Sequence, residues 1–112
     1  MTTRLALAQA AAIVLLTGAC NSKPPTPAQR GRQIYMANCV VCHHPDPNRP
    51  GSQGPAIAGS SRELVEARVL HLSYPPRYKP KRTTHAMRAF PQLAGHIDDL
   101  TAFLAEAAAT GK

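Results

Sequence analysis

The pattern of polar and hydrophobic positions predicts a first helix that begins at Thr26. Thr26 offers a capping hydroxyl, Pro27 suits the first helical position, and Gln29 follows the threonine by three residues. This helix carries Ile34 and Tyr35 toward a pair of cysteines. We therefore expect it to bring the residues that directly follow it, His43 among them, to a defined position.

A second helix is predicted after an irregular stretch. Residues 60–63 read Ser-Ser-Arg-Glu, a capping-box pattern, and the helix is expected to run to about Ser73. Its apolar positions include Leu64, Val65, Val69 and Leu72. Six prolines and glycines before it predict a loop without regular structure: Pro45, Pro47, Pro50, Gly51, Gly54 and Pro55.

The last helix is predicted from Ile97, Leu100 and Leu104, which recur at helical spacing with Phe103 alongside. The acidic residues of this stretch lie elsewhere on the helical wheel. Residues 93–97 lack a Ser, Thr, Asp or Glu cap, so the sequence does not fix where this helix begins.

The amino terminus has the three parts of an export signal. Arg4 is followed by an apolar run over residues 5–16 and by small residues at 17–19, directly before Cys20. The run is shorter than the roughly 20 residues of a membrane-spanning helix, which favours a cleaved signal over a permanent anchor. The pattern predicts a signal peptide at 1–19 with Cys20 acylated as in a bacterial lipoprotein; the alternative is an ordinary cleavage site.

Residues 20–26 are polar and rich in proline, and they predict a semi-rigid tether before a domain at 27–112. The full length of 112 residues excludes a multidomain enzyme. Only five aromatic residues are present, so the chain is poor in the side chains that usually fill a small core. The formal charge of the full sequence is +7, and it becomes +6 when the signal peptide, which contains Arg4, is removed. This charge suits an acidic partner or an anionic membrane, whereas export makes nucleic acid an unsuitable partner.

The strongest chemical signal is the spacing of Cys39, Cys42 and His43, which read C-x-x-C-H. This is the attachment motif of haem c, in which both thiols form thioethers and the imidazole binds iron. A thioredoxin-like motif would need alternating strands and helices around it. A third alternative is a structural lipoprotein whose C-x-x-C pair binds zinc or forms a disulfide. The zinc site would need further ligands. With haem attached to Cys39 and Cys42, and lipid attached to Cys20, all three cysteines are accounted for.

Three motifs in order resemble the small class I c-type cytochromes of bacteria. Residues 31–39, GRQIYMANC, are similar to the family's first helix; residues 54–59, GPAIAG, to its G-P-x-L-x-G loop; residues 87–93, MRAFPQL, to its methionine loop. The resemblance implies an all-α cytochrome c fold, with three to four helices and long loops around one covalently bound haem. It also implies that the Pro55 carbonyl receives the hydrogen bond of His43.

Met87 is the expected sixth ligand of the iron, because its Met-x-x-Phe-Pro context matches the family's methionine loop. His85 and, less well placed, His71 are the alternatives, and either would give a bis-histidine iron. With both axial positions filled, the expected function is electron transfer without catalytic residues or a small-molecule substrate. An open sixth site would instead indicate a peroxidase-like enzyme or a gas sensor, with His85 and Arg88 as candidate acid and base groups.

The stretch from residue 77 to residue 88 carries five cations and no acid. In the implied fold it lies beside Met87, near the exposed haem edge, where it would attract an acidic redox partner. The alternative is a solvated basic loop. The expectations combine into a lipid-anchored electron carrier of the bacterial periplasm, or the haem subunit of a periplasmic oxidoreductase. The five cations are Arg77, Lys79, Lys81, Arg82 and Arg88.

Overall fold

A computed structural model describes residues 22–111 of the chain. Three α-helices occur in this part, α1 (Pro27–Asn38), α2 (Arg62–His71) and α3 (Ile97–Thr110), and a 3₁₀ segment at Pro91–His96 leads into α3. Residues 22–111 contain no β-strand, so the predicted all-α class is confirmed. The predicted signal peptide and Cys20 lie outside the described residues. None of the helices described is long and apolar enough to cross a membrane.

Helix α1 begins as the sequence predicts. The Thr26 hydroxyl accepts a hydrogen bond from the Gln29 amide at 3.2 Å, and the Gln29 side chain accepts one from the Thr26 amide at 2.8 Å. Pro27 takes the first helical position, where its missing N–H costs nothing. The helix ends at Asn38, so its C-cap is Cys39, the first cysteine of the pair.

The predicted start of α2 was wrong by one residue. The Ser60 hydroxyl donates backwards to the Ile57 carbonyl at 2.7 Å, so it is not the helix cap. Ser61 is the cap instead, and its hydroxyl accepts from the Leu64 amide at 3.3 Å. The helix also ends before the predicted Ser73, because Leu72 adopts the left-handed conformation with φ 53° that stops a helix.

Helix α3 crosses α1 at close range. A Cβ atom at Gly31 would lie 1.9 Å from the Asp99 carbonyl oxygen, so only glycine permits this approach. The Arg30 guanidinium donates to the Asp99 carboxylate at 2.8 Å beside the crossing. The aromatic rings of Tyr35 and Phe103 pack across it with centroids 5.2 Å apart.

The hydrophobic core lies between the three helices and the 3₁₀ segment. Tyr35 at its centre is 1% exposed, and its hydroxyl donates to the His44 carbonyl at 2.7 Å. This bond fixes the chain just beyond the C-x-x-C-H motif to the core. The buried hydrophobic residues are Tyr35, Val65, Val69, Phe90, Leu93, Ile97, Leu100, Phe103 and Leu104.

Candidate cofactor site

An open cleft lies beside the core, with about 970 Å³ of empty space that continues into the solvent. Its walls come from the end of α1, one side of α2, part of α3 and the two long loops that flank α2. All five candidate site residues within the described part of the chain line it: Cys39, Cys42, His43, Pro55 and Met87.

The C-x-x-C-H motif forms a tight turn at the end of α1. The Cys39 amide continues the helix by donating to the Tyr35 carbonyl at 2.8 Å, and the Cys39 carbonyl then accepts from the Cys42 and His43 amides at 3.2 and 2.9 Å. This turn brings the two thiols and the imidazole to one side of the backbone. Val41, between the two cysteines, is 80% exposed.

Both thiols of the motif are free. Burial raises the pKa of the Cys39 thiol to about 11, so this group is a neutral thiol at physiological pH. Two free thiols on one wall of a cleft suit attachment to a single ligand. Among residues 22–111, the donor cluster that a zinc site requires is not found.

His43 is held by the loop that follows it. Its Nδ1 atom lies 3.2 Å from the Pro55 carbonyl oxygen, which can only accept, so Nδ1 carries the proton. Nε2 therefore keeps its lone pair for a metal. Burial lowers the pKa of His43; the hydrogen bond to Pro55 opposes this shift, and the charge of Arg82 adds to it.

Gly54 makes the position of the His43 ring possible. A Cβ atom at residue 54 would lie between 2.3 and 2.8 Å from three atoms of the imidazole. The loop is pinned behind the ring by the Gly54 amide, which donates to the Cys42 carbonyl at 2.9 Å. The imidazole can therefore take this position only because residue 54, the first glycine of the 54–59 motif, has no side chain.

Met87 is half-buried and packs against the core while its side chain lines the cleft. The rival ligands lie elsewhere: His85 and His71 are exposed and do not line the cleft. Among the histidines and methionines of residues 22–111, His43 and Met87 alone face it. A nitrogen and a thioether sulfur form the donor set of a low-spin haem iron.

The residues present fit a haem. Apolar side chains of α2 and α3 form one wall, two free thiols stand at the motif, and an imidazole has its Nε2 unprotonated. Three cations line the cleft, Arg68, Lys81 and Arg82, and the last two suit the carboxylates of a haem. Lys81 is fixed by the bond its ammonium group donates to the Ala56 carbonyl at 2.8 Å.

Sequence reasoning missed Arg68 as a residue of the site. Its position gave a signal, because Arg68 follows Leu64 by four residues and Val65 by three, and so falls within the apolar stripe of α2. A cation inside such a stripe needs a partner. The sequence does not show which partner, since the candidate lies in a distant loop.

The fold and the site together define a small all-α protein with a cleft whose residues fit a haem. The family model of cytochrome c matches residues 28–108, and the chain belongs to the cytochrome c family. No curated protein and no solved structure matches the chain. Membership in this family implies haem c as the cofactor and haem-based electron transfer as the function.

Proposed function

We propose that the protein is an exported electron carrier with one haem, which passes single electrons between redox partners in the bacterial periplasm. Cys39 and Cys42 hold the haem covalently, and His43 and Met87 bind its iron. The observation that carries this proposal is the convergence of these four side chains and the Pro55 carbonyl on one cleft.

The residues of the chain have separate tasks in this proposal. Bound haem supplies a one-electron iron couple. The Pro55 carbonyl keeps the proton of His43 on Nδ1 and orients the ring. The Met87 thioether is a soft ligand, which favours ferrous iron and raises the potential. The apolar wall of the cleft keeps water from the ligands.

The placement of His85 supports a carrier rather than an enzyme or sensor. An enzyme needs acid and base groups over a vacant iron position. Arg88 lines a second opening together with His43 and Met87, with its guanidinium 5.0 Å from the centre of the Phe90 ring. His85 is exposed and lines neither opening, so it does not join Arg88 there.

We propose an acidic surface for the redox partner. Arg68, Lys81 and Arg82 line the cleft and Arg88 lines the second opening, whereas no Asp or Glu of residues 22–111 lines either. The acids that form ion pairs lie outside both openings: Asp99 with Arg30, and Glu66 and Asp98 with Arg62. The haem edge would therefore present positive charge to an approaching partner.

The amino terminus supplies the proposed location. Residues 1–19 act as the signal, Cys20 receives lipid, and the segment up to residue 26 tethers the domain to the membrane. Residues 22–26 are exposed and without regular structure, as a tether requires. Replacement of Cys20 by Ala should move the protein from the membrane fraction to the soluble fraction, with the haem spectrum unchanged.

The first test is the visible spectrum of the protein from a host that matures haem c. We expect sharp reduced bands, no response to carbon monoxide, and a weak red band from the thioether on ferric iron. Met87→Ala should abolish the red band and admit carbon monoxide. Met36→Ala is the matched control, because Met36 is 37% exposed on α1 and does not line the cleft. A high-spin wild-type spectrum that shifts with carbon monoxide would support the enzyme or sensor alternative.

The second test concerns the partner surface. We compare oxidation of the reduced protein by anionic ferricyanide and by the cation tris(phenanthroline)cobalt(III) at low salt. Lys81→Gln combined with Arg88→Gln should slow only the reaction with ferricyanide, and added salt should reduce the difference. Arg32→Gln is the control, since Arg32 is exposed on α1 and lines neither opening. Equal rates for the double variant and the wild type would remove the basis for an acidic partner.

A further inference from the structure

Arg68 stands in the last turn of α2 and points into the cleft, where three groups surround its guanidinium. Nη1 donates to the Leu72 carbonyl at 2.7 Å. The Cζ atom lies 4.3 Å from the centre of the Tyr74 ring. Nη2 lies 3.9 Å from the sulfur of Met87, within the range of a hydrogen bond to sulfur.

The guanidinium is held in place before it meets the sulfur. The Leu72 carbonyl stands at the carboxyl end of α2, where the helix dipole favours a cation. Tyr74 stacks on Tyr78 with centroids 5.5 Å apart and planes 8° apart, so the ring under the guanidinium is itself supported. A planar guanidinium that is already held on two sides loses little further conformational freedom when its third edge donates a hydrogen bond.

Arg68 differs from the other paired arginines of the described chain. Arg30 and Arg62 form ion pairs with carboxylates, whereas Arg68 forms none with any residue of 22–111. It is only partly exposed, and its guanidinium lies beside a thioether where the other two meet carboxylates. Packing alone does not explain a cation in this position, because an uncharged side chain would fill the stripe at lower cost.

A thioether sulfur has two lone pairs, and a metal uses only one. We propose that Arg68 positions the sixth ligand: it donates to the second lone pair of Met87, orients the sulfur toward the iron, and stabilises the ferrous state with its fixed positive charge. The inference rests on the proposed ligation by His43 and Met87. Both effects of Arg68 have the same sign, since electron withdrawal from the sulfur and a nearby cation each disfavour ferric iron.

The test is a redox titration of the haem-loaded protein and its variants. Arg68→Leu should shift the equilibrium between ferrous and ferric iron by roughly tenfold toward ferric, which is about 59 mV for one electron. Arg68→Lys keeps the positive charge but lacks the planar guanidinium, so its potential should lie between those of the wild type and Arg68→Leu. Lys79→Gln is the control for net charge, because Lys79 is exposed and does not line the cleft; its potential should stay close to that of the wild type.

The red thioether band gives a second readout that a structural role alone would not change. As the pH or the temperature is raised, we expect the band of Arg68→Leu to disappear earlier than the band of the wild type, because the sulfur is less firmly oriented. Tyr74→Leu, which removes the ring under the guanidinium, should shift the potential in the same direction by a smaller amount.

The outcomes separate this inference from the proposed function. A wild-type potential in Arg68→Leu, with the red band intact, overturns the role of Arg68 and leaves the ligation by Met87 standing. A red band that survives in Met87→Ala overturns both. A lower potential in Arg68→Leu with an equal fall in Lys79→Gln also overturns the role, because the shift would then follow net charge alone.

Discussion

Gly54→Ala tests whether the loop behind the motif positions the imidazole. The added Cβ would lie 2.3 Å from Cε1, 2.4 Å from Nδ1 and 2.8 Å from Nε2 of His43. Ordinary van der Waals contact begins at 3.4 Å, so the ring or the loop must move by about 1 Å. The backbone behind residue 54 offers little room, because its amide is bonded to the Cys42 carbonyl.

A movement of this size has two costs. Overfilling a packed site destabilises a fold by roughly 1–3 kcal/mol. The bond between Nδ1 and the Pro55 carbonyl is already 3.2 Å long, and its loss costs about a further 1 kcal/mol. We therefore expect Gly54→Ala to lower the free energy of unfolding by about 2–4 kcal/mol. The displaced imidazole should also reduce haem incorporation and weaken the low-spin spectrum.

The assay compares this variant with Gly95→Ala. No atom lies within 4 Å of a Cβ placed at Gly95, so this control should stay within about 0.5 kcal/mol of the wild type. Unfolding in guanidinium gives the free energies, and the haem content and visible spectrum report on the site. If Gly54→Ala matched the wild type in stability and spectrum, the packing argument for His43 would be refuted.

Three further predictions concern the scaffold, each followed by denaturant unfolding. Tyr35→Phe removes the bond to the His44 carbonyl and should cost about 1 kcal/mol; no change would contradict the anchoring role of Tyr35. Ser61→Ala removes the cap of α2 and should also cost about 1 kcal/mol, whereas an unaffected variant would contradict this cap. The hydrogen bond from Arg30 lowers the pKa of Asp99, so this carboxylate stabilises the fold above its unfolded pKa and loses that effect as the pH falls through its folded pKa. Asp99→Asn should therefore lose less stability than the wild type as the pH falls below about 4, and an identical fall would show that the ion pair contributes nothing.

The helix starts show how far local sequence signals reach. The start of α1 is confirmed because the threonine and glutamine side chains cap each other's amides three residues apart, and proline suits the first helical position. The start of α2 was misplaced because two adjacent serines both have capping ability. The choice between them depends on the Ile57 carbonyl, which binds Ser60 and lies in a turn that the sequence pattern does not define. For α3, the missing cap is explained by the 3₁₀ segment that precedes it.

The contacts that shape the site join distant parts of the chain, and no local pattern encodes them. Gly31 reads as a generic helix glycine until the Asp99 carbonyl is found against it. Arg68 falls within the apolar stripe of α2, but the sequence does not identify its partner, the Met87 sulfur. Motif order therefore predicted which residues share the cleft, whereas the partners that hold them there required the three-dimensional fold.

The shortage of aromatic residues gains a physical explanation from the cleft. Five of the nine buried core side chains also line it: Tyr35, Val65, Val69, Leu100 and Leu104. These side chains are at most 8% exposed, and their outer edges face the space that a haem would take. An apolar group in that space would add packing contacts to this wall. The macrocycle then substitutes for the large side chains that the sequence lacks, and binding of the cofactor and stability of the fold depend on the same wall.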